Sequence, residues 1–378
     1  MKHLFFFTII AINCLSIVAN TTITPNQFRK GSDSDRIEAA ISEAMKTGVN
    51  SIEIPRYNQQ GQKAEWLIDR AIVLPSDFTL VLRDCLVRLS PGTQDNIITN
   101  SGARTQPLSE NKNIRILGVG NVILSGGLEA HFNPPGDKSG YKTIGILLYN
   151  TKHFTIDAVQ MEETQAWAIS VEHGCAYGRI SNIHFNNTNK YPNQDGVNIR
   201  KGCHDVIIEN ITGVTGDDVI ALTGLRNYNV GESMQVGGYA PTENDDIYNI
   251  IINNVQAKCA GGHHIIRLLN HDGIKMYNVF ISNVMDTSLE GEFPRTVRAA
   301  VKIGEEARYA SVSQNELGDT YRIFITNVIS QARNVVWIHR SLKDSVIRGI
   351  AGYGGDHSEP TVKVNGEIEN VVIDSHKF

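Results

Sequence analysis

The 378-residue chain has no excess of basic residues: 35 Lys plus Arg stand against 40 Asp plus Glu, a net charge of −5. That excludes a chain-wide nucleic-acid footprint, which needs a basic surface. Leucine is scarce, with 21 against 44 isoleucines. Leucine ordinarily dominates, so the reversal argues against an all-α protein and against a Leu/Ala-rich βα barrel. Cysteine is sparse too: five in all, with no Cys-x-x-Cys pair and no Cys/His metal spacing. A disulfide-held miniature fold and a zinc site are therefore excluded, and no cofactor or metal is expected. Beyond the N-terminus no apolar run is long enough to cross a bilayer, so no membrane span is expected. What is abundant is Ile, a stiff strand former, together with 33 Asn and 33 Gly, the residues of tight turns.

Residues 1–19 open Met-Lys-His and continue through the apolar run Leu4–Ile12 to Ala19. A charged start, a short apolar stretch and a small residue at the end read as a secretory signal peptide. The mature chain, 20–378, is expected to be exported, soluble and monomeric. Export permits disulfides, and Cys85, Cys175, Cys203 and Cys259 remain for them.

One short pattern recurs, Ile-x-Asn-(Ile/Val). It stands at Ile180–Ile183, Ile208–Ile211, Ile252–Val255, Ile281–Val284 and Ile325–Val328. Degenerate copies flank these at Ile156–Val159 and Ile347–Ile350. From position 158 to 349 the steps are 24, 28, 44, 29, 44 and 22. A step of 22 to 29 holds two or three short strands and their turns. Strands that lie parallel to their own copies, with no crossover helix, define a β-solenoid whose coils stack at about 4.8 Å. The fold expected is all-β: a single right-handed parallel β-helix, Ile ladders inside, the asparagines stacked at one turn. The two 44-residue steps read as single coils with long excursions, roughly 226–246 and 288–319. Cys175 and Cys203 each precede a ladder Asn by seven residues, so they share a register on adjacent coils. Either a disulfide or a stacked pair of thiols fits.

The N-terminal part differs. Ile37, Ala40, Ile41, Ala44 and Met45 form a helical stripe, with Asp35 and Glu38 placed as a capping box and Gly48 as the stop. This helix is expected to cover the open end of the solenoid. Strand-like segments at 51–55, 66–68, 78–82 and 86–89 would start the first coils, and the whole mature chain reads as one domain.

Three segments carry polar residues at the entry of corresponding strands: Asn193-Gln-Asp195-Gly, Gly216-Asp217-Asp218 and Gly262-His263-His264. Aligned on Val197, Val219 and Ile265, they put Asp195, Asp217 and His263 in one column, and Asp218 and His264 in the next. Three carboxylates and two imidazoles within a patch about 10 Å tall push at least one carboxyl pKa up. A protonated acid beside an ionised one is what acid/base catalysis needs. An open groove shared by Asp195, Asp217, Asp218 and His263 is expected. Turn capping or calcium binding is the plainer account of any one of these acids. In this alignment Arg267 falls in the inward column, which marks a slip somewhere. Arg200, Lys201, Arg298 and Lys302 are candidate partners for a uronate carboxylate, and equally candidates for solvated charge. Trp167, one coil before Asp195, is a candidate sugar-stacking face, and Tyr228 and Tyr239 candidates for a cleft wall.

These residues resemble the pectin-lyase-like right-handed β-helix proteins, and most closely the polygalacturonase family of glycoside hydrolases. The family's Asn-Thr-Asp-Gly motif is matched by Asn193-Gln194-Asp195-Gly196, and its Asp-Asp pair by Asp217-Asp218. Its Gly-His-Gly motif survives only as Gly262-His263-His264, and its Arg-Ile-Lys motif as Ala300-Val301-Lys302. The resemblance implies hydrolysis of a poly- or oligosaccharide by single displacement with inversion. It implies Asp218 as general acid, Asp195 and Asp217 holding and deprotonating the water, His263 tuning the acids, and Lys302 binding substrate. His264, Arg267, Arg298 and Trp167 complete the candidate substrate contacts. Two other readings compete: a lyase on the same scaffold with calcium on Asp217 and Asp218, and a non-catalytic glycan-binding β-helix.

Overall fold

The computed structural model describes residues 22–105, 107–127, 144–191, 193–226, 244–289, 292, 298–353 and 359–377. The proposed signal peptide and most of the first excursion, with Tyr228 and Tyr239, lie outside them. Among the described residues no helix is long and apolar enough to cross a membrane.

The helix forms at Asp33–Thr47, but its cap differs from the one expected. Ser32 is the N-cap: its hydroxyl accepts from the Asp35 N–H at 3.2 Å, and the Asp35 carboxylate accepts from the Ser32 N–H at 2.7 Å. The box needs its Ser and acid three apart with the Ser outside the helix, and Ser32 supplies that. Glu38 instead accepts from Arg70. Gly48 ends the helix in the left-handed region at φ 72°, where glycine has no Cβ to clash. Ile37, Ala40, Ile41 and Ala44 are buried against the first coils, so the apolar stripe closes the solenoid's end.

Each later coil has the same parts. A short strand such as Val197–Arg200 lies in one parallel sheet. A long strand such as His204–Thr215 lies in a second. The long strand covers two sides of the coil because it bends at Asn210, φ 56°. The bend explains the repeat. Strict alternation from Ile208 would put residue 210 inside; the left-handed Asn resets the phase, so Ile208 and Ile211 both point inward and are buried. Asn182, Asn254, Asn283 and Asn327 bend the other coils alike. The pairings Ile208↔Ile252 and Ile281↔Ile325 make both 44-residue steps single coils, as expected. Cys175 and Cys203 are buried free thiols on adjacent coils, so the stacked pair is present and not the disulfide.

The side chains at the bend form a ladder: Asn210 donates to Asn182 at 2.9 Å and Asn254 to Asn210 at 2.8 Å. Asn283 breaks step and donates to Asn253. A second left-handed column, not anticipated from the repeat, runs through Asp205, Asn249, Asn278, Asp344 and Asn370. It too is bonded, Asn249 to Asp205 and Asn278 to Asn249 at 3.0 Å each. Asn254→Ala should lower stability by about 2 kcal/mol, roughly half from left-handed strain and half from lost ladder bonds. Asn254→Gly should recover the strain share. Denaturant midpoints of the two variants check this.

Candidate active site

The short sheet positions the site, and its register corrects the sequence alignment by one residue. Val197 pairs with Ile220, not Val219, and Ile220 with Ile266. Asp195, Asp218 and His264 therefore share a column, and Asp217 and His263 the next. The slip also explains Arg267. It lies in the outward column Asn198–Ala221–Arg267–Lys302–Trp337, while Ile199, Leu222, Leu268 and Ile303 point into the core.

Asp218 is enclosed. Its side chain is 0% exposed. One oxygen accepts from the His264 backbone N–H at 3.0 Å and meets His264 Nδ1 at 2.8 Å. The other lies 3.0 Å from Arg267 Nε. Burial opposes its charge, but Arg267 and His264 outweigh burial and hold its carboxyl well below the usual carboxylate range. His264 is driven down by burial, so it stays neutral and donates its Nδ1–H. Asp218 is thus a fixed carboxylate in an ion-paired network.

Asp195 and Asp217 are the opposite. Asp195 is 3% exposed, one oxygen accepting from Asn198 at 3.2 Å and the other without a hydrogen-bond partner. Burial, then the neighbouring Asp217 and Asp218, raise it well above the carboxylate range. Asp217 is raised by burial and by Asp218. Its side chain is 16% exposed and lies 3.3 Å from His263 Nδ1, with His263 46% exposed. The four residues expected to share one open groove do not all reach the surface: Asp217 and His263 are accessible, while Asp195 and Asp218 are buried beneath them, among polar partners. The physical reason is the pair His264 and Arg267, which fill the space over Asp218.

The remaining candidates divide. Lys302 is buried against Glu305, a residue the sequence reading missed, and Arg267 Nη1 lies 4.0 Å from the same carboxylate. Glu305 follows Lys302 by three residues across a Gly, a signal visible in the sequence. Arg298 is exposed and its N–H donates to the His263 carbonyl at 2.9 Å, so it sits on the rim. Trp167 is not an open sugar platform: it is 6% exposed, and the Arg200 guanidinium lies 4.6 Å above its ring. Arg200 and Lys201 are not solvated charge. Each is 3% exposed, near Glu172 at 3.9 Å and Asp245 at 3.7 Å respectively. Burial pushes Lys201 down to about 8.

Asp217, Asp218 and His263 offer ligand atoms within 4.8 Å of one another. They do not fit calcium, which takes six to eight oxygens: Asp218 is spent on His264 and Arg267, and Arg267 adds a cation beside any bound ion.

Asp272 anchors the wall beyond the site. It accepts backbone N–H bonds from Ser311 at 2.8 Å, Val312 at 2.7 Å, and Ser313 and Arg226 at 3.2 Å. Burial raises it, but these donors prevail and hold its pKa down. Stability from Asp272 is therefore present above its unfolded pKa and lost as pH falls through the folded one. Asp272→Ala should cost about 2 kcal/mol, since it removes the acceptor of four part-buried backbone N–H bonds. Thermal midpoints against pH should show the variant flatter than wild type on the acid side.

Residues 110–265, which hold Asp195, Asp217, Asp218 and His263, match the family model described as Glycosyl hydrolases family 28. No curated protein matches the sequence. The fold is similar to a polygalacturonase from Erwinia carotovora ssp. carotovora, at 14% identity and TM-score 0.55, over 94% of this chain and 93% of that one. It is similar to an exopolygalacturonase from Thermotoga maritima, at 14% and 0.57, over 94% and 92%. An endo-xylogalacturonan hydrolase from Aspergillus tubingensis aligns at 14% and 0.53, over 94% and 93%. At these identities the likeness shows the fold, the right-handed parallel β-helix. The family match over 110–265 and the shared fold together support a polygalacturonase-like glycoside hydrolase.

Proposed function

We propose that the mature chain is exported and hydrolyses a pectin-like, uronate-containing glycan with inversion, acting as a monomer and needing no cofactor. The observation that supports this best is three carboxyls in one cluster with unlike surroundings: Asp218 enclosed by His264 and Arg267, Asp195 buried beside Asn198, and Asp217 reaching the surface beside His263. Asp218 stays ionised. Asp195 and Asp217 are a raised pair: burial, then Asp217 and Asp218, raise Asp195, and burial and Asp218 raise Asp217. Asp217, raised and at the surface beside His263, gives its proton to the leaving oxygen. Asp195 in its ionised form is the base that the family resemblance assigns to the attacking water. Asp218 does not fit the acid role that the family resemblance gives it, because Arg267 and His264 hold its carboxyl well below the usual carboxylate range. Its fixed charge instead stabilises the positive charge growing at the anomeric carbon.

The pH profile of kcat should be bell-shaped, falling in acid when the pair is fully protonated and in alkali when it is empty. The anomer released first from a pectin panel, read by proton NMR, tests inversion. A product of retained configuration would contradict the single-displacement step.

A further inference from the structure

The cations of the site are consumed inside it. Lys302 is 4% exposed, paired with Glu305, and its ammonium lies 4.7 Å from the Trp337 ring. Arg267 stands between Asp218 at 3.0 Å and Glu305 at 4.0 Å. Glu305 is fixed in this position by the backbone. Gly304 turns at φ 80° just after the strand Ala299–Ile303, and a Cβ there would meet Arg340 Cβ at 2.3 Å. Glu305 Oε1 also accepts from the Glu306 N–H at 3.1 Å, and its carbonyl from Arg340 Nε at 2.8 Å. Two cations are thus balanced by Asp218 and Glu305, and Asp195 and Asp217 add further acids. A sugar carboxylate entering here would meet carboxyl groups, with neither Lys302, on the strand Ala299–Ile303, nor Arg267 left unpaired to receive it. On the rim, one coil beyond His263, Arg298 is exposed.

We infer that the sugar at the cleavage point is uncharged, that Glu305 sets this preference by masking Lys302, and that a uronate is accepted only at the neighbouring position served by Arg298. The inference rests on the hydrolase reading above and names the substrate class of that site. It describes a glycan in which neutral and acidic sugars neighbour one another. Glu305 touches no substrate; it is a positioning residue that acts through Lys302.

The test uses two polymers that differ only in charge: polygalacturonate and the same polymer after reduction of its carboxyls to primary alcohols. For the full mature chain, kcat/KM should be at least about tenfold higher on the reduced polymer. Glu305→Gln, near-isosteric, should free Lys302 and move that ratio at least about tenfold toward polygalacturonate, through KM rather than kcat. Circular dichroism checks the variant's fold. If Glu305→Gln does not fold, wild-type affinities for oligomers of the two polymers, measured by calorimetry, carry the test, with the reduced oligomer expected to bind more tightly. Equal or better binding and cleavage of polygalacturonate by wild type would overturn the inference while leaving the hydrolase reading standing. An unmoved ratio in a folded Glu305→Gln would overturn the role of Glu305. Neither binding nor cleavage of either polymer would overturn the hydrolase reading, and the inference with it.

Discussion

Asp217→Asn should lower reducing-end release by at least about a thousandfold, with the denaturant midpoint unchanged or slightly raised. Asp217 is the acid that combines a raised pKa with access to the surface beside His263. Asn keeps the oxygen that accepts from the Asp218 N–H at 2.9 Å, so local geometry survives. It cannot give up a proton to a leaving oxygen. The sign of the stability effect follows from linkage. A carboxyl whose folded pKa is raised contributes most below its unfolded pKa, and that contribution is lost as pH rises through the folded value. Removing the group removes the loss, so the variant should gain slightly on wild type toward neutral pH. Steady-state rates with guanidinium unfolding at two pH values check both halves. An active Asp217→Asn enzyme would assign the proton donor elsewhere.

Asp218→Asn should behave differently, losing about 3 kcal/mol of stability along with activity. Here the carboxylate is fully enclosed and held ionised, and its removal takes from the half-buried Arg267 its nearest carboxylate, leaving Glu305 at 4.0 Å. The cost belongs to the uncompensated guanidinium more than to the lost bond. Arg267→Met in the same background should recover part of it, because both charges then leave together. The pH sign is also reversed. The folded pKa of Asp218 is lowered, so its share of stability is present above the unfolded pKa and lost as pH falls through the folded one. Wild type and Asp218→Asn should therefore converge in acid. Unfolding of the single and double variants, measured as a cycle from neutral pH down past the ordinary carboxylate range, distinguishes this ion-paired role from that of a proton donor. A stable, inactive Asp218→Asn would restore the acid role that the family resemblance implies.

The coil architecture was legible in the sequence because it is written in local chemistry repeated seven times. Ile-x-Asn-Ile names an inward pair and the left-handed bend between them, and each copy supports the others. The second left-handed column was not legible. Its positions, Asp205, Asn249, Asn278, Arg322 and Asp344, vary in side chain and follow no fixed tetrapeptide. The acids of the site were found from their spacing, but not their register. Val197 and Val219 look equivalent, and only the turn at Gly216–Asp218, with two bonds into the Gln194 carbonyl, takes up the extra residue. From that one-residue slip come the pairing of Asp195 with Asp218 and the outward place of Arg267. Charge pairing was equally hidden. Arg200, Lys201 and Lys302 looked free as letters and are each held by a carboxylate that lies near in space.

The Asp195–Asp217–Asp218 cluster is proposed to hydrolyse glycosidic bonds. The most direct measurement of this is product analysis on a panel of pectic glycans, for wild type and Asp217→Asn side by side. The expected result is new reducing ends with no ultraviolet-absorbing unsaturated sugar, undiminished by a calcium chelator and absent in the variant. Unsaturated ends that depend on calcium would make the protein a lyase, and binding to the glycans without any product would make it a glycan-binding β-helix.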